Sequence, residues 1–306
     1  MNVKEALAQL HPDDFKVLYA IEKRLKTHEF VPIELIEKDT KLPLHRLERS
    51  LYHLNKLKLI RRMSTSVLGY RLTILAYDVL AIHSLMKRGI LVALGEKIGV
   101  GKESDVYLGI GPGGVKLAVK FHRVGRQSFR HIVRHRTYKE EENWLLQSRL
   151  SAAREFTALK ELFPRGAKVP EPVAKSRHVV VTKLIEGAVE LYRKPEIEDP
   201  VKALIDVLET IEIAYKEVGI VHGDLSEYNI IVIPETSEAY VIDWPQYVEK
   251  EHPSAPQLLR RDVEYVVRFF KKVYGVPIEV DEVLSRLGVP GSGNRRGARE
   301  GAGHQG

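Results

Sequence analysis

The chain has no cysteine, and among its 306 residues only two are Trp and three are Met. Without thiols there is neither a disulfide framework nor a thiolate metal centre, and nothing in that composition points to export. No apolar run reaches the ~20 residues of a membrane-spanning helix. The segment after Met1 lacks the apolar centre of a secretory leader. A cytoplasmic protein without a membrane partner is the expectation. Acid is the scarcer charge, with 41 Asp+Glu against 48 Lys+Arg and a net charge of +7. The 44% hydrophobic content is enough for the core of one large domain or two ordinary ones.

The positive surplus is clustered. It gathers in "KLPLHRLERSLYHLNKLKLIRR" (41–62), in "FHRVGRQSFRHIVRHRTYK" (121–139) and in "GSGNRRGAREGAGHQG" (291–306). Clusters of this kind suit phosphate-rich partners, nucleic acid above all, although any one of them also reads as a solvated face.

Residues 1–90 read as a small helical domain. Phe15, Leu18, Ile21 and Leu25 recur at helical spacing within 11–29, with Pro12 in the first turn, and a short helix follows near 32–39. Leu44, Leu47, Leu51 and Leu54 line one face of 43–60, and His45, Arg46, Arg49, His53 and Lys56 line the other. Two strand-like pieces meet near Ser66, and a helix over 74–88 follows. Helices followed by a hairpin in this order describe a winged helix-turn-helix with 43–57 as recognition helix. Arg46, Arg49 and His53 are its candidate nucleic-acid contacts.

A strand-rich domain is expected over 91–290, with an N-terminal lobe to about 183 and a C-terminal lobe from about 188. "LVALGEKIG" and "SDVYLGIG" flank a glycine turn, and 115–123 reads as a third strand. Residues 124–146 read as a mobile basic loop, 148–163 as a helix and 178–187 as a strand running into a connector. Asp199 caps a long helix over 199–219, with Pro200 at its first position and Gly219 ending it. Helices are expected over 256–274 and 281–287, then a disordered basic tail over 291–306.

Chemistry concentrates in three places. "IGVGKESDVY" (98–107) sets Gly99 and Gly101 between two strands. This excludes a dinucleotide fingerprint, which must open a helix, and leaves a glycine lid over phosphates or an ordinary tight hairpin. Lys120 lies among Leu117, Ala118, Val119 and Phe121, where an unpaired ammonium is expensive. It reads as a phosphate-contacting lysine with Glu155 as its partner, or as a snorkelling edge lysine. "HGDLSEYN" (222–229) has the shape of a protein-kinase catalytic loop, and "YVIDW" (240–244) supplies a further aspartate. In that pattern Asp224 orients the attacking hydroxyl, and Asn229 and Asp243 hold magnesium at neighbouring strand ends.

Taken together, "GVGKESDVY", "AVKFHR", "HGDLSEYN" and "IDWPQ" resemble the RIO family of atypical protein kinases. The winged-helix start resembles its second, archaeal-like subfamily, and the likeness runs over about 1–290. The resemblance implies an α+β fold, a winged helix followed by a reduced bilobal kinase-like domain. It implies ATP contacts from Ile98, Gly99, Gly101, Lys102, Glu103 and Ser104 in the turn, and from Lys120 and Glu155. Leu184 and Glu186 in the connector would receive adenine. It implies Mg2+, with Mn2+ as an alternative ion, and ATP hydrolysis through a phospho-aspartate on Asp243, making Asp224 and Asp243 the catalytic pair. It further implies action on the pre-ribosomal small subunit, its rRNA and its proteins, by a chain expected to be monomeric. Ser128 in "GRQSFR" is a candidate for self-phosphorylation.

The sequence departs from ordinary protein kinases. Ser104 replaces the third glycine, Gly223 replaces the arginine that reads activation-loop phosphorylation, and Pro245 replaces the glycine of DFG. Only about sixty residues follow Asp243, too few for a peptide-cradling lobe. Two other classes stand beside this reading. One is a small-molecule phosphotransferase of aminoglycoside or choline type, which needs a larger helical lobe. The other is a nucleic-acid-binding regulator whose second domain senses nucleotide.

Overall fold

The computed structural model describes residues 1–64, 68–125 and 138–288. The readings at Ser128 and over 291–306 lie outside them. The chain folds into two compact units, one of 1–156 with 172–184 and one of 157–171 with 185–306.

The first unit opens with α1 (Val3–Leu7), α2 (Pro12–Arg24), β1 (Val31–Pro32), α3 (Ile33–Thr40), α4 (Leu44–Lys56), β2 (Ile60–Ser64), β3 (Leu68–Leu72) and α5 (Ile74–Lys87). The three strands form an antiparallel sheet in the order β1-β3-β2. This is the expected winged helix, with α1 and the two-residue β1 added. Pro12 stands in the first turn of α2, and the Thr73 hydroxyl caps α5 by accepting from the Ala76 amide.

The same unit continues with β4 (Ala93–Val100), β5 (Ser104–Ile110), β6 (Lys116–His122), α6 (Tyr138–Leu162), β7 (Pro172–Ser176) and β8 (Val179–Lys183). Its five strands pair antiparallel in the order β4-β5-β6-β8-β7. Leu18, Leu47, Leu54, Val79 and Ile82 of the winged helix share one continuous core with Leu117, Val119, Phe121 and Val181 of this sheet. Two expectations need correction. Residues 138–146 belong to α6 and not to a loop, and β7 was not foreseen. Trp144, Leu145, Ser148 and Ala152 are buried at helical spacing, a stripe that the preceding run of charges obscures.

The second unit holds the end of α6, then β9 (Val189–Glu190), α7 (Pro200–Ile213), β10 (Ile220–Val221), β11 (Ile230–Ile233), β12 (Glu238–Val241), β13 (Val248–Glu249), α8 (Ala255–Tyr274) and α9 (Val280–Arg286). Asp199 caps α7 through the amides of Val201 and Lys202, with Pro200 next to it. The helix finishes in a π-turn over 214–218, and Gly219 closes it with φ 78°. The strands order β12-β11-β9, with β10 paired to β13. Leu259, Val263, Val266, Val267 and Phe270 bury one face of α8. Among the described residues no helix is long and apolar enough to cross a membrane.

Candidate active site

In the first unit, β4 and β5 meet in a glycine turn closed by a bond from the Gly101 amide to the Ser104 carbonyl, 2.9 Å. The pairing of the two strands slips between Leu94 and Lys97 and again between Lys97 and Gly99, so the flap is irregular where it approaches the turn. Ile98, Gly101 and Lys102 are exposed, while Gly99, Glu103 and Ser104 are half-buried. Glu103 is tied into the fold. Its carbonyl accepts from the Arg123 amide at 2.6 Å, and its carboxylate accepts from the Gly125 amide at 3.0 Å.

Strand period explains Lys120. Leu117, Val119 and Phe121 of β6 enter the core, so Lys120 and His122 project from the opposite face. There Lys120 Nζ lies 2.8 Å from Oε1 of Glu155 on α6, and His122 Nε2 lies 2.6 Å from Oε2. Burial alone would raise the Glu155 carboxyl. The charges of Lys120 and His122 overcome it and bring the pKa to about 2. The lysine is therefore paired and central, between β5 and β8, and is not a snorkelling edge residue. After β8 the Leu184 amide donates to the Lys116 carbonyl at 3.1 Å, and Gly187 turns the connector with φ 76°. Leu184 closes the first unit and Glu186 falls in the second.

The second unit assembles Asp224, Asn229 and Asp243. The β11–β12 hairpin pairs Ile230 with Val241, and the Ile242 amide donates to the Asn229 carbonyl at 2.9 Å. The strand ends carrying Asn229 and Asp243 are thereby neighbours, as the sequence spacing predicts. Asn229 Nδ2 donates to the Asp224 carbonyl at 2.7 Å, so the side chain's acceptor atom is Oδ1. Asp224 is exposed. Asp243 sits at φ 67°, a conformation that a non-glycine residue adopts only where its surroundings hold it.

The loop around Asp224 is held by residues the sequence reading missed. The buried carboxylate of Asp262 on α8 accepts from the amides of Gly223 (2.7 Å) and Leu225 (3.1 Å), on either side of Asp224. Burial pushes its carboxyl up, while His222 and the two amides pull the other way. His222 Nε2 donates to the Ile242 carbonyl at 3.0 Å, and its Nδ1 accepts from the Asp224 amide at 3.3 Å. Its ring packs 4.6 Å from that of Trp244. Gly223 has φ 79°, and a Cβ there would lie 3.3 Å from the Gln246 carbonyl oxygen. A signal for Asp262 did exist: position 262 falls on the apolar stripe of its helix, three residues after Leu259 and four before Val266.

Among the described residues no group of three or more His, Cys, Asp or Glu could hold a metal by itself. The donor set is one amide oxygen and carboxylates. It fits a hard cation that brings phosphate oxygens and water with it, as Mg2+ does.

The expected nucleic-acid contacts on α4 fare differently from one another. Arg46 Nε donates to Asp13 at 2.7 Å, and His53 Nδ1 lies 2.9 Å from the buried Asp14. Arg49 stays exposed.

Comparison with known proteins gives a consistent result. A family model described as RIO domain matches residues 105–283, and one described as Rio2, N-terminal, matches 7–88. The serine/threonine-protein kinase RIO2 of Caenorhabditis elegans is 40% identical over 278 residues, covering 90% of this chain and 52% of the relative. The chain thus spans about half of that protein. The RIO-type serine/threonine-protein kinase Rio2 of Methanocaldococcus jannaschii is 41% identical over 282 residues, covering 86% of this chain and 99% of the relative. A crystal structure of the Rio2 kinase-ADP/Mg2+-phosphoaspartate complex from Chaetomium thermophilum superposes with a TM-score of 0.80 at 33% identity. It covers 94% of this chain and 90% of its own.

Proposed function

The chain belongs to the RIO family of serine/threonine kinases and carries the Rio2-type N-terminal domain; from that premise we propose that it is a magnesium-dependent ATP phosphotransferase and ATPase acting on the pre-ribosomal small subunit. The observation that carries the reaction is the hydrogen-bonded set of Asp224, Asn229 and Ile242, which brings the catalytic loop and Asp243 together.

Each residue has a role that follows from its chemistry. Lys120, held by Glu155, contacts phosphate oxygens of the nucleotide. Asn229 Oδ1 and the Asp243 carboxylate hold the cation, which when bound offsets charge on the phosphates. Asp224 accepts the proton of an attacking hydroxyl or water. The phosphoaspartate of the Chaetomium thermophilum complex supports a covalent route. In that route an oxygen of Asp243 bonds to the γ-phosphorus, the bond from phosphorus to the β,γ-bridging oxygen breaks, and ADP leaves with that electron pair. A water oriented by Asp224 then attacks the phosphorus and releases inorganic phosphate, returning the carboxylate. Ser128 is the proposed acceptor for self-phosphorylation, and rRNA with its bound proteins is the proposed partner.

The experiment is turnover of ATP by the purified chain with magnesium, with trapping of an acid-stable, alkali-labile phosphoenzyme. Asp243→Asn abolishes the trapped species and Asp224→Asn slows its decay. Absence of magnesium-dependent ATP binding would sink the proposal, and phosphorylation of an aminoglycoside or amino alcohol would replace it.

A further inference from the structure

The recognition helix holds fewer available cations than its sequence suggests, because Asp13 and Asp14 of α2 engage Arg46 and His53. Positive charge is concentrated elsewhere in the same unit. A cleft of about 650 Å³ is lined by Tyr19, Glu22, Lys23 and Lys26 of α2 and the turn after it, Tyr77 of α5, Arg149 of α6, and Lys175 and Arg177 at β7 and its turn. Five cationic side chains face one carboxylate there.

The interior of the cleft is built. Glu22 takes a two-pronged contact from Arg177 (2.7 and 2.6 Å) and a third bond from Arg149 at 3.1 Å. The guanidinium carbons stand 5.7 Å from the Tyr19 ring centre and 5.3 Å from that of Tyr77. The Tyr19 hydroxyl is fixed 3.1 Å from His83 Nδ1. These contacts lock two flat apolar rings in place and neutralise the acid that lines the cleft. Lys26 and Lys175 have no acidic partner among the described residues, and Lys23 meets Asp39 only at 3.4 Å with most of its side chain in solvent.

We propose that this cleft is a binding site for single-stranded nucleic acid, separate from the recognition helix. Backbone phosphates sit on the ammonium groups of Lys26 and Lys175, and a splayed nucleoside enters against Tyr19 and Tyr77. Cations that follow a backbone beside aromatic faces are what unpaired strands require. A duplex keeps its bases stacked inside a convex cylinder and cannot fill a concavity of this size. The site rests on no part of the phosphoryl-transfer reading, and ATP turnover measured on the same preparations keeps the two apart.

The test uses the full chain, a fluorescein-labelled single-stranded oligoribonucleotide of mixed sequence, and a hairpin that pairs the same sequence. Anisotropy across a salt series gives affinity and slope. Lys26→Ala with Lys175→Ala weakens single-strand binding on the order of tenfold and flattens the log–log salt slope by about 1.4, two phosphate contacts of about 0.7 each. ATP turnover stays at the wild-type rate, which also shows that the variant folds. Arg49→Ala leaves single-strand affinity unchanged. The proposal is overturned if the double variant binds as the wild type does, if Arg49→Ala produces the loss instead, or if the hairpin binds as tightly as the open strand.

Discussion

Nε2 of His122 lies 2.6 Å from Oε2 of Glu155, the carboxylate oxygen that Lys120 does not use. One buried acid therefore meets two side chains of β6, and its other consequences follow from that sharing. Its folded pKa of about 2 lies below the ordinary 4.5, so the stabilisation is present above 4.5 and is lost as pH falls towards 2. The gap corresponds to about 3 kcal/mol. Acid denaturation of the wild type and of Glu155→Gln reads this directly. The variant starts less stable by about 3 kcal/mol and lacks the extra loss between those two pH values. His122→Phe is expected to reduce kcat/KM for ATP about tenfold, the effect of one lost buried contact, with the larger part in KM.

Asp262 holds the loop on either side of Asp224, through the amides of Gly223 and Leu225. Asn at this position keeps the shape but turns an N–H towards one of the two amides. Asp262→Asn is expected to lower kcat by about ten- to a hundredfold, the effect of about 1–3 kcal/mol in an unsatisfied buried donor. Equilibrium binding of ATP, measured by calorimetry, is expected to stay within about twofold, because Lys120 and the glycine flap are untouched. A loss of ATP affinity equal to the loss of kcat would contradict this division of labour.

The backbone at Gly223 accounts for the absence of an arginine before Asp224. Its φ of 79° and the Gln246 carbonyl, 3.3 Å from any Cβ, exclude a side chain there without strain. Gly223→Ala is expected to destabilise the fold by about 1–2 kcal/mol. Thermal denaturation checks it, and turnover falls with it because Asp224 is the next residue. An alanine variant of unchanged Tm and activity would show that the loop relaxes freely.

What could be read in the sequence was local. The spacing from His222 through Asp224 to Asn229, and the hairpin returning to Asp243, lie within about twenty residues, and strand pairing fixes their geometry. Lys120 was legible because an ammonium inside an apolar strand requires a partner, and Glu155 was the best candidate on the next helix. Pairings across longer separations were not legible. Nothing in "PLHRLERSLYHL" shows that Arg46 and His53 are engaged by acids thirty-three and thirty-nine residues earlier. Asp262 carries its signal only once α8 is known to bury that face. The start of α6 was hidden because "KEEEN" reads as solvated loop until Trp144 and Leu145 are found buried.

Asp78 of α5 and Arg123 after β6 join the winged helix to the strand that carries Lys120 through a two-pronged, buried ion pair. Arg123 Nη1 and Nη2 lie 2.7 and 2.8 Å from the two Asp78 oxygens, while its Nε reaches Asp105 at 3.3 Å. His178 Nε2 donates to Asp78 at 2.7 Å. Burial alone would raise the Asp78 carboxyl, but Arg123 and His178 hold it below the ordinary carboxylate range. Burial pushes His178 down, against the pull of Asp78. Both depressions act in the same direction: the stabilisation is present above the unfolded values and is lost as pH falls through the folded ones. Asp78→Asn and Arg123→Met are each expected to cost about 3 kcal/mol, because each breaks the two-pronged buried pair and leaves Arg123 only Asp105, or Asp78 only His178. The double variant leaves no orphan in that pair and should lose less than the sum by about 1–3 kcal/mol. Urea denaturation of the four proteins completes the cycle. Strict additivity would mean that Asp78 and Arg123 do not act as a pair in holding the winged helix to the sheet.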